Sequence, residues 1–183
     1  FSRIVDWQDP KTSVLFGDGA GAAVVEASAD ESGLLSSFWR CDGSLAQLLS
    51  VPASGSRMQI SHEVIDQRLQ YLQMAGSEVF KNAVREMGEA GLEALKRANL
   101  SVRDVAMVIP HQANRRIIES AAKDLELPMD RFVVNLDRYG NTSAASIPIA
   151  LCEAIDDGRI HTGDHIVMVS FGAGLTWGSS VIK

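Results

Sequence analysis

Val108-Ile109-Pro110-His111-Gln112-Ala113-Asn114 is the stretch whose reading decides the fold, and Tyr139-Gly140-Asn141-Thr142-Ser143-Ala144-Ala145-Ser146 is its counterpart. Each reads as a turn between an apolar strand and an amphipathic helix. Each puts a side-chain hydrogen-bond donor at the carboxyl end of a strand, His111 in one and Asn141 in the other. In an open α/β sheet that edge is where ligands bind. Two donors converging there suit an oxygen that becomes negative during a reaction.

Around these turns the periodicity predicts strands at 12–16, 21–27 and 34–40, then a polar loop over 42–59 containing Pro52 and Gly55. A short helix at 61–68 and a strand at 69–74 follow. Val79, Phe80, Ala83, Val84, Met87, Leu92 and Leu95 recur as one face of a helix over 76–98. Strand 104–109 leads to His111 and helix 114–126, and strand 132–136 leads to Asn141 and helix 143–157, which stops at Gly158. Strands 165–171 and 175–182 end the sequence. Alternating strands and helices predict an α/β fold with a mostly parallel sheet covered by helices. The tight glycine turn between the last two strands makes that pair antiparallel.

Composition narrows the function classes. The 183 residues are 46% apolar, which fits a globular chain with a real core. A net charge of -6 argues against nucleic-acid binding. No apolar run approaches membrane-spanning length, and the polar residues after Phe1 do not read as a signal peptide, so a cytoplasmic location is expected. Cys41 and Cys152 are the only cysteines and form neither a metal-ligand pattern nor a disulfide framework.

The chain also repeats itself. Phe16-Gly17-Asp18-Gly19-Ala20-Gly21-Ala22 parallels Phe171-Gly172-Ala173-Gly174-Leu175, and both copies read as strand, glycine turn, strand. If the copies are equivalent, the sequence starts near the end of one α/β unit and contains all of a second. The first copy lacks phosphate-loop spacing and no helix follows it, so it does not read as a nucleotide loop. His111 is either a structural histidine or a neutral donor whose imidazolium form a helix N-terminus disfavours. Asn141 is either a helix N-cap or a donor to a ligand.

Pro110–Asn114, Gly140–Ser146, Phe16–Ala22 and Phe171–Gly178 together resemble, in order along the chain, the motifs of β-ketoacyl-acyl carrier protein synthase III, a family of the thiolase superfamily. The resemblance implies a thiolase-like fold of two similar halves in five layers. This chain would hold the carboxyl-terminal βαβαβαββ half over 42–183, with the closing strands of the amino-terminal half and the crossover over 1–41. The implied activity is decarboxylative condensation of a short acyl-CoA, acetyl-CoA foremost, with malonyl-acyl carrier protein. Related readings are a condensing enzyme of secondary metabolism and a non-catalytic module that binds acyl carrier protein or CoA.

Carried over by motif, His111 and Asn141 are the catalytic His and Asn. The Ala173 N–H stands where the family stabilises the acyl-transfer oxyanion. Phe16, Gly76, Ser77, Phe80, Ala113, Asn114 and Phe171 would line the acyl pocket and pantetheine channel, with Ser77 where an Asn is common. Arg115, Arg116 and Lys123 would meet the acidic acyl carrier protein. Asn141 in place of a second histidine, and Ala173 in a final loop without cysteine, favour initiation over elongation or thiolysis. The family's nucleophilic cysteine belongs to the other half, so neither Cys41 nor Cys152 is assigned to catalysis and this chain alone is expected to be inactive. The resemblance further implies a homodimer and no cofactor beyond the thioester substrates.

Overall fold

A computed structural model describes residues 1–183. In chain order the helices are α1 (Pro10–Ser13), α2 (His62–Asp66), α3 (Gly76–Arg97), α4 (Arg115–Asp124), α5 (Leu136–Tyr139) and α6 (Ser146–Asp156). The strands are β1 (Leu34–Cys41), β2 (Leu49–Ser50), β3 (Gln73–Met74), β4 (Val105–Pro110), β5 (His165–Gly172) and β6 (Thr176–Ile182). The main sheet runs β1-β6-β5-β4. β4 and β5 are parallel, and β6 is antiparallel to both of its neighbours, β5 and β1. Beyond β4 a single parallel bridge joins Phe132 to Val108. No helix is long and apolar enough to cross a membrane.

The sheet is not mostly parallel, as expected, but mixed, with β4–β5 its one parallel pair, because β6 returns from β5 as a hairpin and β1 adds antiparallel to it. It is buried on both faces at β4, which explains the unbroken apolar run there. Successive side chains alternate between two cores. Val108, with Val167, Val169 and Val181, packs under Met87 and Leu95 of α3 and Ile118 of α4. Met107, Ile109 and Ile166 face the other way, onto Ala150 and Ala154 of α6. Burying each of the larger side chains stabilises the fold by roughly 1.5–3 kcal/mol relative to exposure. α3 lies close to α4 because Gly88 and Gly91 face it: a Cβ at Gly88 would come 2.3 Å from the Cβ of Asp124, and one at Gly91 3.1 Å from Leu125.

Several expected elements are corrected. Residues 12–16 and 21–27 are not strands: α1 occupies Pro10–Ser13, Phe16 makes one bridge to Asn141, and 17–28 has no ladder. Strand-like sequence becomes strand only where a partner bonds its backbone along its length, and here the one exchange is with Asn141, at Leu15 and Gly17. The two glycine motifs therefore share sequence but not conformation. Only the second is a hairpin, turning at Gly174, whose φ is +140°. The first runs past Tyr139, Thr142, Pro148 and Ile149 so closely that a Cβ at Gly17, Gly19 or Gly21 would collide with them.

The expected strand at 69–74 shrinks to Gln73–Met74, because the chain turns at Arg68, where φ is +60° and Leu69 N–H donates to Val64 O. The expected strand at 132–136 ends after one bridge and gives way to α5. Pro110 has no N–H with which to continue the ladder. The expected helix over 143–157 opens as a 3₁₀ turn, Ser143–Ala145, before α6 begins.

Candidate active site

The break in the ladder beyond Pro110 is filled by a side chain. Val133 N–H donates to Val108 O (3.0 Å), as in a parallel pair, but the next donor is missing at Pro110. Buried Gln112 supplies it. Its Nε2 donates to Val133 O (3.0 Å) and Pro110 O (2.8 Å), and its Oε1 accepts from Asn135 N–H (3.1 Å). The amide thus stands in for a rung of sheet, holds the end of β4 rigid, and releases 135–141 to form a turn.

His111 follows that strand end. Its backbone N–H donates to Val169 O (2.8 Å), which ties it to β5. The imidazole Nδ1 lies 2.6 Å from Ser146 Oγ at the start of α6. Burial pushes the imidazole pKa down from its usual 6.5 to about 4, because the ring loses the solvent that would stabilise its cation. His111 is therefore neutral at physiological pH.

Asn141 is held from three sides. Its N–H donates to Leu15 O (2.9 Å) and its C=O accepts from Gly17 N–H (2.9 Å). Its Oδ1 accepts from Ser143 N–H (2.9 Å), which fixes the amide orientation and leaves Nδ2 to donate elsewhere. The local-capping reading and the ligand-donor reading are thus compatible. Gly140, at φ +67°, has backbone geometry that favours glycine, and a Cβ there would lie 3.0 Å from Leu15 O. Glu153 anchors the preceding α5 to α6, accepting from Asn135 Nδ2 (2.8 Å), Arg138 Nη2 (2.7 Å) and the Tyr139 hydroxyl (2.5 Å).

His111 and Asn141 open onto one mostly apolar cavity of about 520 Å³. Of the other residues singled out in the sequence, Phe16, Gly76, Phe80, Ala113, Asn114, Phe171 and Ala173 also line it. Asn114 caps α4 as well, its Oδ1 accepting from Arg116 N–H (2.9 Å). Ser77 is exposed and outside the lining, so the wall at this end of α3 is made by Gly76, Val79 and Phe80. Arg115, Arg116 and Lys123 are exposed on α4, outside the cavity. The Arg116 guanidinium lies 5.1 Å from the centroid of Phe80, which sets it beside the lining. Arg115 pairs with Glu119 on its own helix (3.1 Å). Cys41 and Cys152 are exposed and outside the lining.

Sequence reasoning missed Gln112, Ser143, Ser146 and Glu153, which brace the turns that hold His111 and Asn141. A signal existed for Gln112: a proline ending a buried strand removes a ladder donor, and a polar side chain two residues on can replace it.

A mixed sheet between helical layers, with a His turn at the end of β4 and an Asn turn after α5 opening onto one cavity, defines a thiolase-like α/β unit. Its relatives make the assignment specific. The model described as 3-oxoacyl-[acyl-carrier-protein (ACP)] synthase III C terminal matches residues 95–183, and that described as 3-oxoacyl-[acyl-carrier-protein (ACP)] synthase III matches residues 1–43. The chain belongs to the β-ketoacyl-acyl carrier protein synthase III family. The β-ketoacyl-[acyl-carrier-protein] synthase III of Roseiflexus castenholzii is 54% identical over 183 residues, which cover 100% of this chain and 56% of the relative. The solved structure of the corresponding Thermus thermophilus protein superposes with a TM-score of 0.88 at 49% identity, covering 99% of this chain and 55% of that one. The priming β-ketosynthase of the R1128 polyketide pathway superposes with a TM-score of 0.83 at 34% identity, covering 98% and 53%. The chain thus spans slightly more than half the length of the relatives it matches.

Proposed function

We propose that this chain supplies the enolate-stabilising part of a decarboxylating condensing enzyme, and that the protein spanning the full length of its relatives joins a short acyl-CoA, acetyl-CoA foremost, to malonyl-acyl carrier protein. The observation that carries the reading is that His111 and Asn141, far apart in sequence, open onto one apolar cavity with their side chains already oriented by partners. In the reaction the bond to the malonyl carboxylate breaks and carbon dioxide leaves. The electron pair passes to the thioester oxygen as an enolate. The His111 ring N–H and the Asn141 Nδ2–H donate to that oxygen, and the mostly apolar walls strengthen both bonds by excluding water. The enolate carbon then attacks the acyl thioester, forming the new carbon–carbon bond and releasing the thiolate that carried the acyl group. We assign that thiolate to neither Cys41 nor Cys152, both of which are exposed away from the cavity. The Ala173 N–H, on the cavity wall, serves the acyl-transfer oxyanion.

The remaining assignments belong to the same proposal. Residues 1–41 hold the end of the first thiolase-like half and the crossover, whose last strand, β1, already pairs with β6 in the sheet of the second half over 42–183; the working protein is a cytoplasmic homodimer, and it uses no cofactor beyond its CoA and phosphopantetheine thioesters. Arg115, Arg116 and Lys123 meet the acyl carrier protein. A second reading, a condensing enzyme of secondary metabolism, draws on the likeness to the R1128 priming ketosynthase. The higher identity to β-ketoacyl-acyl carrier protein synthase III relatives favours fatty acid initiation, and a profile of accepted acyl-CoA and carrier-protein substrates separates the two.

The test uses a protein of the relatives' full length. His111→Ala and Asn141→Ala should each slow carbon dioxide release from malonyl-acyl carrier protein by roughly a hundred- to a thousandfold. Labelling by acyl-CoA should be at least partly kept, since the acyl-transfer oxyanion uses backbone donors. Normal decarboxylation in either variant would sink the assignment.

A further inference from the structure

We infer that Ser146 is a positioning residue: its hydroxyl donates to His111 Nδ1, and so holds the imidazole in the tautomer whose Nε2 carries the proton. The inference rests on the enolate-stabilising reading above and says how that site is kept ready.

The tautomer follows from a count of hydrogens. A serine hydroxyl has one hydrogen and two lone pairs. Ser146 is 2% exposed, so bulk water does not supply partners. The Gln112 backbone N–H donates to its Oγ (3.3 Å), which occupies one lone pair. The only other protein partner of Oγ is His111 Nδ1, at 2.6 Å. The hydroxyl hydrogen therefore has a single acceptor, and that acceptor is Nδ1. An imidazole protonated on Nδ1 instead would aim a second donor at Oγ and strand the hydroxyl hydrogen in a buried place. An unpaired buried donor of this kind shifts such an equilibrium by about tenfold to a hundredfold.

Once Nδ1 accepts, the neutral ring has its hydrogen on Nε2, the nitrogen that the Ser146 contact leaves free to donate into the cavity. The same contact resists the imidazolium form, which would need a proton on Nδ1. Ser146 also opens α6, so the ring sits at the positive end of an 11-residue helix, which disfavours the cation further. Burial acts in the same direction, lowering the basicity of His111 by desolvation. Gln112 has two parts in it: its side chain fixes the strand end, and its backbone N–H orients the serine.

The experiment takes a protein of the relatives' full length with ¹⁵N-labelled histidine. Long-range ¹H–¹⁵N spectra near neutral pH should show His111 Nε2 as the protonated nitrogen and Nδ1 as the bare one. In Ser146→Ala the ring should become a mixture of tautomers and its protonation should move to higher pH. Carbon dioxide release from malonyl-acyl carrier protein should fall by at least about tenfold, and by no more than the roughly thousandfold that loss of one donor costs. Acyl labelling should persist, which separates a tautomer effect from a general structural one. A wild-type ring protonated on Nδ1 overturns the inference, and so does an alanine variant with unchanged tautomer and rate. The wild-type spectrum needs no variant, so the assignment is testable even if Ser146→Ala fails to fold. An Nε2-protonated wild-type ring in a protein that releases no carbon dioxide would support the Ser146 contact and overturn the proposed function.

Discussion

At the scale of single residues, the two proposed donors, His111 and Asn141, are held by opposite means. Asn141 is oriented by the main chain, through Ser143 N–H on its Oδ1 and strand-like bonds to Leu15 and Gly17. His111 is prepared by burial, which brings its pKa to about 4. That shift has a consequence for stability. The unfolded chain takes up the proton near pH 6.5, whereas the folded chain takes it up only near 4, so folding favours the neutral ring. The contribution of His111 is complete above about 6.5 and is lost as the pH falls toward 4. In a full-length protein, urea unfolding at pH 7 and pH 5 should therefore show wild type losing more stability on acidification than His111→Ala. Equal losses would mean that the ring is not buried as described. His111 stood out in the sequence because a polar side chain between an apolar strand and a helix start is a local signal; Asn141 was singled out by the same rule, although α5 and not a strand precedes it. Their supports were not, because Ser146 lies 35 positions from His111 and nothing local pairs them.

At the scale of elements, α3 and α4 form the wall that carries Phe80 and Ile117 along the cavity, with Ala113 in the turn before α4. Their spacing depends on Gly88. In an exposed helix, Gly→Ala gains roughly 1 kcal/mol from propensity. At Gly88 the added Cβ would meet the Cβ of Asp124 at 2.3 Å, an atom fixed to its backbone, so α4 itself must move. We expect Gly88→Ala to be net destabilising by about 1–3 kcal/mol, the usual cost of overpacking, as measured by chemical denaturation. An unchanged or raised midpoint would show that the two helices have slack. The lengths of α3, α4, β5 and β6 follow the sequence reading closely, since the periodicity of a long amphipathic or alternating run is a local property. The segment 132–136 reads as a strand by the same rule and fails, because the side chain of Gln112 takes the backbone groups that a ladder would have used.

At the scale of the whole molecule, charge and apolar surface both bear on partners. The chain has a net charge of -6, yet Arg116 projects from α4 beside the cavity, over Phe80. In the full-length protein, Arg116→Glu should raise KM for malonyl-acyl carrier protein much more than KM for acetyl-CoA, with an effect that shrinks as salt is added. Equal effects on both substrates would remove Arg116 from the proposed docking surface. Apolar residues also stand free: Val24 is 96% exposed, Val25 92%, and Trp39, beside β6 on the edge strand β1, 73%. The 183-residue chain by itself should self-associate in sedimentation or size-exclusion measurements, as exposed apolar patches and strand edges do. It should also take up no acyl group from labelled acetyl-CoA. A stoichiometric adduct with turnover on Cys41 or Cys152 would contradict that.

The sequence by itself determined helices α3 and α4, strands β4, β5 and β6 and the antiparallel final hairpin, and it singled out the turns that hold His111 and Asn141. Each of these is written in spacing, turn residues or motif within a short window. Tertiary structure decided which extended segments became strands, because a strand exists only when a neighbour completes its hydrogen bonds. Residues 21–27 found no such neighbour, and 133–135 met a glutamine side chain instead. It also decided which atoms stand behind the donors. The contact of Ser146 with His111 depends on where the start of α6 sits relative to the end of β4, and that placement is set by the core of Met107, Ile109, Ala150 and Ala154 packed between them.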